Sequence, residues 1–220
     1  MSKVTCQISI SLDGYVAGPD QSKENPLGEG GERLHEWAFS SEAWRRQHGL
    51  DGGDPGPDSD VVDSLVEGIG AYIMGRNMFS SGRGEWDPDW TGWWGEDPPF
   101  HTPVYVLTHH PRAPLEMRGG TTFHFVTEGI EAALEQARAA AGGADVSIAG
   151  GGSTVQQYVA AGLLDELYLH IVPIVLGAGE RLLDGVGDPK LEPIEVVHSP
   201  AVTHLRYRLS REARPLSGGP

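Results

Sequence analysis

Twice in this chain an apolar run ends in glycine and passes straight into a helix start: AYIMGRNMF (residues 71–79) and VSIAGGGSTVQQYVAAG (residues 146–162). A strand that feeds a helix in this way implies a βα unit, and βα units lay strands parallel with helices over the faces of the sheet. The second junction is the more demanding one. Gly150, Gly151 and Gly152 lose more backbone entropy on ordering than any other residue type, so three in a row require a reason. Either a packed neighbour or a ligand approaches that turn closely.

The rest of the chain supplies further elements of the same kind. Val4, Cys6, Ile8, Ile10 and Leu12 alternate with polar residues up to Asp13-Gly14, the pattern of a strand closed by a turn. Leu34, Trp37, Ala38 and Trp44 recur at helical spacing until Gly49. The acidic, turn-rich DGGDPGPDSD segment (51–60) predicts an exposed loop, after which Ser59 can cap a helix containing Val61, Val62, Leu65 and Val66. VYVLT (104–108) and TFHFV (122–126) read as strands, and the long connection before them holds four of the six tryptophans, as an ordered aromatic loop or a lid. Thr127 is a candidate cap for a helix with Ile130, Leu134, Ala137 and Ala141 on one face, ended by Gly142-Gly143. DELYLHIVPIVLG is a long strand whose Leu167 to Val175 offer an apolar edge for pairing between copies, and the tail predicts two antiparallel strands joined at Ser199-Pro200. About eight strands and four helices result, in one α/β domain over residues 1–220 whose sheet is mostly parallel with an antiparallel C-terminal end. Loop insertions fall near 18–31, 49–59 and 82–102.

Charge and cysteine usage exclude several partners. A net charge of −15 with 16 Lys and Arg spread over the chain argues against nucleic acid and against an anionic membrane surface. One cysteine, Cys6, forms no intramolecular disulfide and suits a reducing compartment. The alternating amino terminus lacks the basic-then-apolar pattern of a signal peptide, and no apolar run reaches the roughly 18 residues of a membrane span. The expectation is a soluble, cytoplasmic, globular protein.

At the triple glycine, Ser153-Thr154-Val155-Gln156 matches a capping box. Free N–H groups and a positive dipole end at such a turn suit phosphate or pyrophosphate. Glycine is missing where G-x-G-x-x-G needs it, at Val155, and no Lys-Ser or Lys-Thr follows as in a P-loop. A turn that merely packs a helix against a strand is the alternative. Arg76 at the other junction can grip phosphate bidentately or form a surface ion pair. VLTHHPR adds the Thr108 hydroxyl, His109, His110 and Arg112, either ligand groups or solvated side chains. Ligands of open α/β sheets bind beyond the carboxyl ends of the strands, so these groups together suggest a dinucleotide.

SLDGYVAG, IMGRNMF, VYVLTHHPR, IAGGGSTVQQY and LLDELYLHIVPIVLGAGERLL, in this order, resemble the dihydrofolate reductase superfamily and, within it, the branch typified by the reductase domain of riboflavin biosynthesis. The resemblance implies a three-layer dihydrofolate-reductase-like α/β fold that binds NADPH, as a homodimer in this branch. It assigns the adenine-side contacts to Gly75, Arg76, Asn77, Leu107, Thr108 and His109, with Arg76 and Thr108 favouring the 2′-phosphate and hence NADPH over NADH. The pyrophosphate and nicotinamide side would fall on Gly150, Gly151, Gly152, Ser153, Thr154 and Val155, with Val16 and Ala17 lining the nicotinamide pocket. The activity implied is hydride transfer to a small pteridine, aminopyrimidine-like or carbonyl substrate; the alternative is a protein that keeps the fold and binds the ligand without catalysis. Folate-reducing members hold the pterin with a carboxylate on the first helix, for which Glu36 is the first candidate here and Glu32 the second. Asp13 matches the acidic residue of the branch's S-x-D-G motif, and Trp37, Phe79 and Trp86 are candidates for stacking on a heterocycle. A fused zinc deaminase would need a P-C-x-x-C motif that a single cysteine does not supply. His101, His109, His110 and His124 lack metal-ligand spacing, and Cys6 on the apolar strand face reads as a small hydrophobe.

Overall fold

The computed structural model describes residues 2–80 and 84–210. The first two residues of the 82–102 insertion therefore lie outside the described residues.

Strand β1 (Val4–Ser11) keeps the predicted alternation, and the Asp13-Gly14 turn leads to a short β2 (Tyr15–Ala17). In place of one helix over 34–49 the chain makes a 3-10 turn (Gly31–Leu34), α1 (Glu36–Phe39) and α2 (Glu42–Gln47). Ser41 causes the break: its backbone is extended and its hydroxyl accepts from the Trp44 N–H at 3.2 Å, capping α2. Helix α3 (Pro57–Ser64) starts on proline, and Ser59 is not its cap, because that buried hydroxyl accepts from the Ala43 N–H at 2.9 Å. Strand β3 (Ile69–Gly75) runs directly into α4 (Arg76–Phe79). After the tryptophan-rich connection come β4 (Pro103–Leu107), the two-residue β5 (Leu115–Glu116) and β6 (Thr122–Val126). Helix α5 (Ile130–Ala141) begins at Gly129 and ends on left-handed Gly142; Thr127 does not cap it, since its amide and hydroxyl both donate to Glu128. Strand β7 (Asp145–Gly150) feeds α6 (Gly152–Ala160), and β8 (Glu166–Val172) stops before Pro173, which has no N–H for the ladder. The two-residue β9 (Glu180–Arg181) precedes the antiparallel pair β10 (Lys190–His198) and β11 (Thr203–Ser210).

The main sheet has nine strands in the order β10-β11-β8-β1-β7-β3-β4-β6-β5. Its central strands from β8 to β6 are parallel, β11 on one side and β5 on the other run against them, and β10 pairs antiparallel with β11. Leu167 to Val172 is therefore interior, hydrogen-bonded to β1 and β11, and cannot serve as a pairing edge between copies. Strands β2 and β9 form a separate ribbon in which Ala17 faces Glu180.

Alternation along β3 sends Ala71 and Ile73 into one core and Tyr72 and Met74 into another. The first core lies under α5 and α6 and contains Val4, Cys6, Ile148, Val155 and Tyr158, all fully buried. On the opposite face, Phe79, Phe100 and Phe123 pack with Trp86 and Trp94, and a further cluster of Leu34, Trp37, Ala43 and Val62 fills the space among α1, α2 and α3. Trp86 Nε1 donates to the His110 carbonyl at 2.7 Å and Trp90 Nε1 to the Phe79 carbonyl at 2.8 Å. Trp86 and Trp90 thus pack with their indole N–H groups satisfied. No helix among the described residues is long and apolar enough to cross a membrane.

Candidate functional site

Parallel strands deliver their carboxyl ends to one side of the sheet, where two clefts meet. The first, about 360 Å³, runs from Gly75 and Arg76 at the end of β3, past Leu107, Thr108 and His109 beyond β4, to Ser153 and Thr154 in the first turn of α6. The second, about 350 Å³ and more apolar, is walled by Val16 and Ala17 of β2, by His35 and Phe39, and by Met78, Trp93 and Trp94. Asn77, Gly151 and Glu180 line both clefts and form the junction.

Glycine at this junction does three separate jobs. Gly150 has φ +131°, a conformation that other residues rarely adopt. A Cβ on Gly75 would collide with the Thr154 hydroxyl, and one on Gly152 would sit 3.0 Å from Val16 Cγ2 and 3.1 Å from Glu180 Oε1. Gly151 is different. Its φ of −66° is ordinary extended backbone, and a Cβ there would meet nothing nearer than Glu180 Oε2 at 3.6 Å. Packing accounts for Gly75 and Gly152, whereas the bare backbone of Gly151 leaves open space between the clefts.

The amino terminus of α6 is not closed by a capping box. Ser153 N–H donates to Glu180 Oε1 at 2.8 Å, and Gln156 Nε2 reaches the Arg181 carbonyl at 2.7 Å, so the β9 ribbon takes the place expected of Ser153 and Gln156. Glu180 had no signal in the sequence beyond its place after two glycines.

Arg76 carries the positive charge of the first cleft. Its guanidinium lies 4.0 Å over the Trp86 ring, Nη2 donates weakly to the Glu85 carbonyl at 3.4 Å, and buried Nε has no partner among the described residues. Burial lowers its pKa and the nearby Glu85 carboxylate opposes that shift. Arg112 stacks more loosely on the same indole, at 5.5 Å, and also keeps a buried Nη1 without a partner. Of the two, Arg76 lines the first cleft and Arg112 lines neither, so the Arg76 guanidinium is the group there that suits an anion. The buried Thr108 hydroxyl accepts from the His110 N–H at 3.1 Å, which shapes the turn at the end of β4.

The sequence-selected cofactor residues are brought together with one exception. Gly75, Arg76, Asn77, Leu107, Thr108, His109, Gly151, Ser153 and Thr154 line the first cleft, and Val16, Ala17, Gly150 and Gly152 the second. Val155 lines neither, because its side chain is fully buried in the core under α6. The acidic candidates stand elsewhere. Asp13 is a latch: its carboxylate accepts from the Ser11 hydroxyl (2.6 Å) and from the N–H groups of Leu176 (3.1 Å) and Gly177 (2.7 Å), and the Ser11 bond leads the interactions that hold its pKa down to about 2. Glu36 borders a different hollow beside Ser41, Asp58 and Ser199, and exposed Glu32 lines neither cleft. His35, one residue before Glu36, faces the apolar cleft instead, and burial lowers the pKa of its imidazole. Of the stacking candidates, Trp37 and Phe79 are buried in the core and Trp86 packs under Arg76. Among the described residues no three metal-ligating side chains are close enough to share an ion.

Comparison with known proteins agrees with this architecture. The family model described as the RibD C-terminal domain matches residues 2–205. A putative riboflavin biosynthesis protein from Shewanella sp. PV-4 superposes with a TM-score of 0.61 at 22% identity, over 95% of this chain and 99% of that one. A pyrimidine reductase-like protein from Corynebacterium diphtheriae gives 0.56 at 13% identity, over 96% and 93%. A diaminohydroxyphosphoribosylaminopyrimidine deaminase/5-amino-6-(5-phosphoribosylamino)uracil reductase from Thermotoga maritima gives 0.54 at 12% identity, over 95% of this chain but 57% of that one. No curated protein matches the sequence. With 204 consecutive residues matched by its model, the chain belongs to the RibD C-terminal domain family.

Proposed function

We propose that the protein is an NADPH-dependent reductase of a small heterocycle of the pteridine or aminopyrimidine kind, or of a small carbonyl compound. The observation that carries this is the junction at Gly151, where a polar cleft lined by the Arg76 guanidinium opens into an apolar one across a side-chain-free backbone. Such a pair of spaces suits a ligand with a phosphate-rich half and a flat, weakly polar half. Arg76 and Thr108 would hold the adenosine 2′-phosphate, and the first turn of α6 would face the pyrophosphate, as a helix amino terminus suits an anion. When bound, the dinucleotide supplies the hydride. Val16, Ala17, Met78 and Trp94 would exclude water around the flat ring. In place of Glu36 or Asp13, the titratable groups bordering the substrate space are His35 and, at the junction, Glu180; burial lowers the pKa of the His35 imidazole, which as the neutral ring offers one donor and one acceptor nitrogen to a heterocycle edge. A homodimer, if formed through the sheet, would use the open edge at β10, where Val196 is exposed.

The test is the decrease in nicotinamide absorbance with purified protein, NADPH or NADH, and a panel of dihydropteridines, ribosylaminopyrimidines and small carbonyl compounds. Oxidation of NADPH with at least one panel member, slower with NADH, is expected. Tight NADPH binding without turnover on any member would instead favour a ligand-binding protein that keeps the reductase fold.

A further inference from the structure

Glu180 is the one acidic side chain among the described residues lining either cleft, and it lines both. Its Oε1 accepts from Ser153 N–H at 2.8 Å, an amide of the first turn of α6. No cation among the described residues pairs with this carboxylate. It is delivered from the β2–β9 ribbon, where Glu180 faces Ala17, and the ribbon is fastened to α6 a second time by Gln156 on the Arg181 carbonyl. The carboxylate thus holds the kind of contact that a phosphate oxygen would make, at the place where the proposed dinucleotide turns from one cleft into the other.

We infer that Glu180 is an internal anion that competes for the pyrophosphate position and must be displaced by the ligand, so that this residue sets dinucleotide affinity. The inference rests on the functional reading above for the identity of the ligand. Its physics is independent of that identity. One N–H does not serve a carboxylate and a phosphate fully at once, and two anions at adjoining positions repel. The displaced side chain has one other space on its border, the apolar cleft, and moving there shifts an acidic group toward the substrate wall formed by Val16 and Ala17 on the same ribbon. Arrival of the phosphate half is therefore linked to the polarity of the other cleft.

Calorimetric titrations of wild-type protein, Glu180→Gln and Glu180→Ala with NADPH and, separately, with inorganic pyrophosphate test this, thermal melts confirming that each variant folds. Both variants should bind both ligands about tenfold or more tightly than wild type, because the competing charge is gone. Equal or weaker binding by the folded variants overturns the inference while leaving the dinucleotide site standing. If pyrophosphate binds more tightly to the variants but NADPH binds to none of the three proteins, the displaced carboxylate stands and the dinucleotide reading fails. Absence of binding by either ligand to all three overturns both.

Discussion

Alanine at Gly75 and leucine at Gly151 should damage the protein in opposite ways, although both residues belong to the same junction. At Gly75 a new Cβ would run into the hydroxyl of Thr154, a residue only 3% exposed on α6. With no room to swing, overpacking of this kind costs about 1–3 kcal/mol. In a chain of this length each kcal/mol shifts the melting temperature by about 2–4 °C, so Gly75→Ala should melt about 2–12 °C below wild type. At Gly151 the backbone is extended and the nearest heavy atoms to a new Cβ are the Glu180 carboxylate oxygens at 3.6 and 3.9 Å. Alanine there should change stability by less than about 0.5 kcal/mol, and leucine should fill the passage between the clefts with little more cost to the fold. What leucine removes is the phosphate contact, a charge-assisted hydrogen bond worth about 1.5–3 kcal/mol, so NADPH should bind about 10- to 150-fold more weakly. Ligand-free thermal melts and NADPH titrations of the three variants read both quantities. A Gly75→Ala protein melting within about 1 °C of wild type, or a Gly151→Leu protein binding NADPH as tightly, would refute the division of labour.

Arg76→Ala should weaken NADPH by about 10- to 150-fold and NADH by less than about threefold, since a 2′-phosphate contact is lost from only one of them; equal weakening in a competition assay would remove the 2′-phosphate assignment. Buried His170, whose Nδ1 lies 2.8 Å from His204 Nδ1, has its pKa pushed down to about 3, first by burial and then by the neighbouring His204 and His35. The unfolded histidine binds a proton near pH 6.5 and the folded one does not. Its contribution is therefore complete above that pH and is lost as the pH falls from about 6.5 toward 3, at up to about 1.4 kcal/mol per pH unit. Denaturation of wild type and His170→Asn between pH 7 and 4.5 should show a shallower slope in the variant, and identical slopes would contradict the assignment. Cys6 is fully buried and its thiol is pushed up to about 12 by that burial, so a thiol reagent should label it only after unfolding. Labelling of the native protein at the denatured rate would place Cys6 at the surface.

The βα junctions were legible because strand and helix periodicities meet there at glycine, a local signal. Val4 to Ser11 became β1, with Leu12 left exposed in the turn beyond it, and the tail became the β10–β11 pair. What escaped depends on distant contacts. Strands β2 and β9 have two or three residues each and no period to detect, yet their pairing of Ala17 with Glu180 brings a carboxylate to α6. That carboxylate took the amide assigned to a capping box, and β9 took Gln156 with it. The acid on the first helix failed through phase. One residue along a helix turns a side chain by about 100°, so His35 faces the apolar cleft while Glu36 faces the hollow near Asp58. A break at Ser41, which divides the expected helix, makes that phase unreadable from spacing alone.

The most direct measurement is a fluorescence titration of wild-type protein with NADPH and NADH, following the reduced nicotinamide as it enters the apolar cleft. Saturable binding of NADPH with at least tenfold preference over NADH, accompanied by enhanced nicotinamide emission, is the predicted result, one charge-assisted contact being worth about that factor. Absence of saturable binding, or equal affinity for the two cofactors, would contradict the assignment of the Arg76, Thr108 and Gly151 clefts to NADPH.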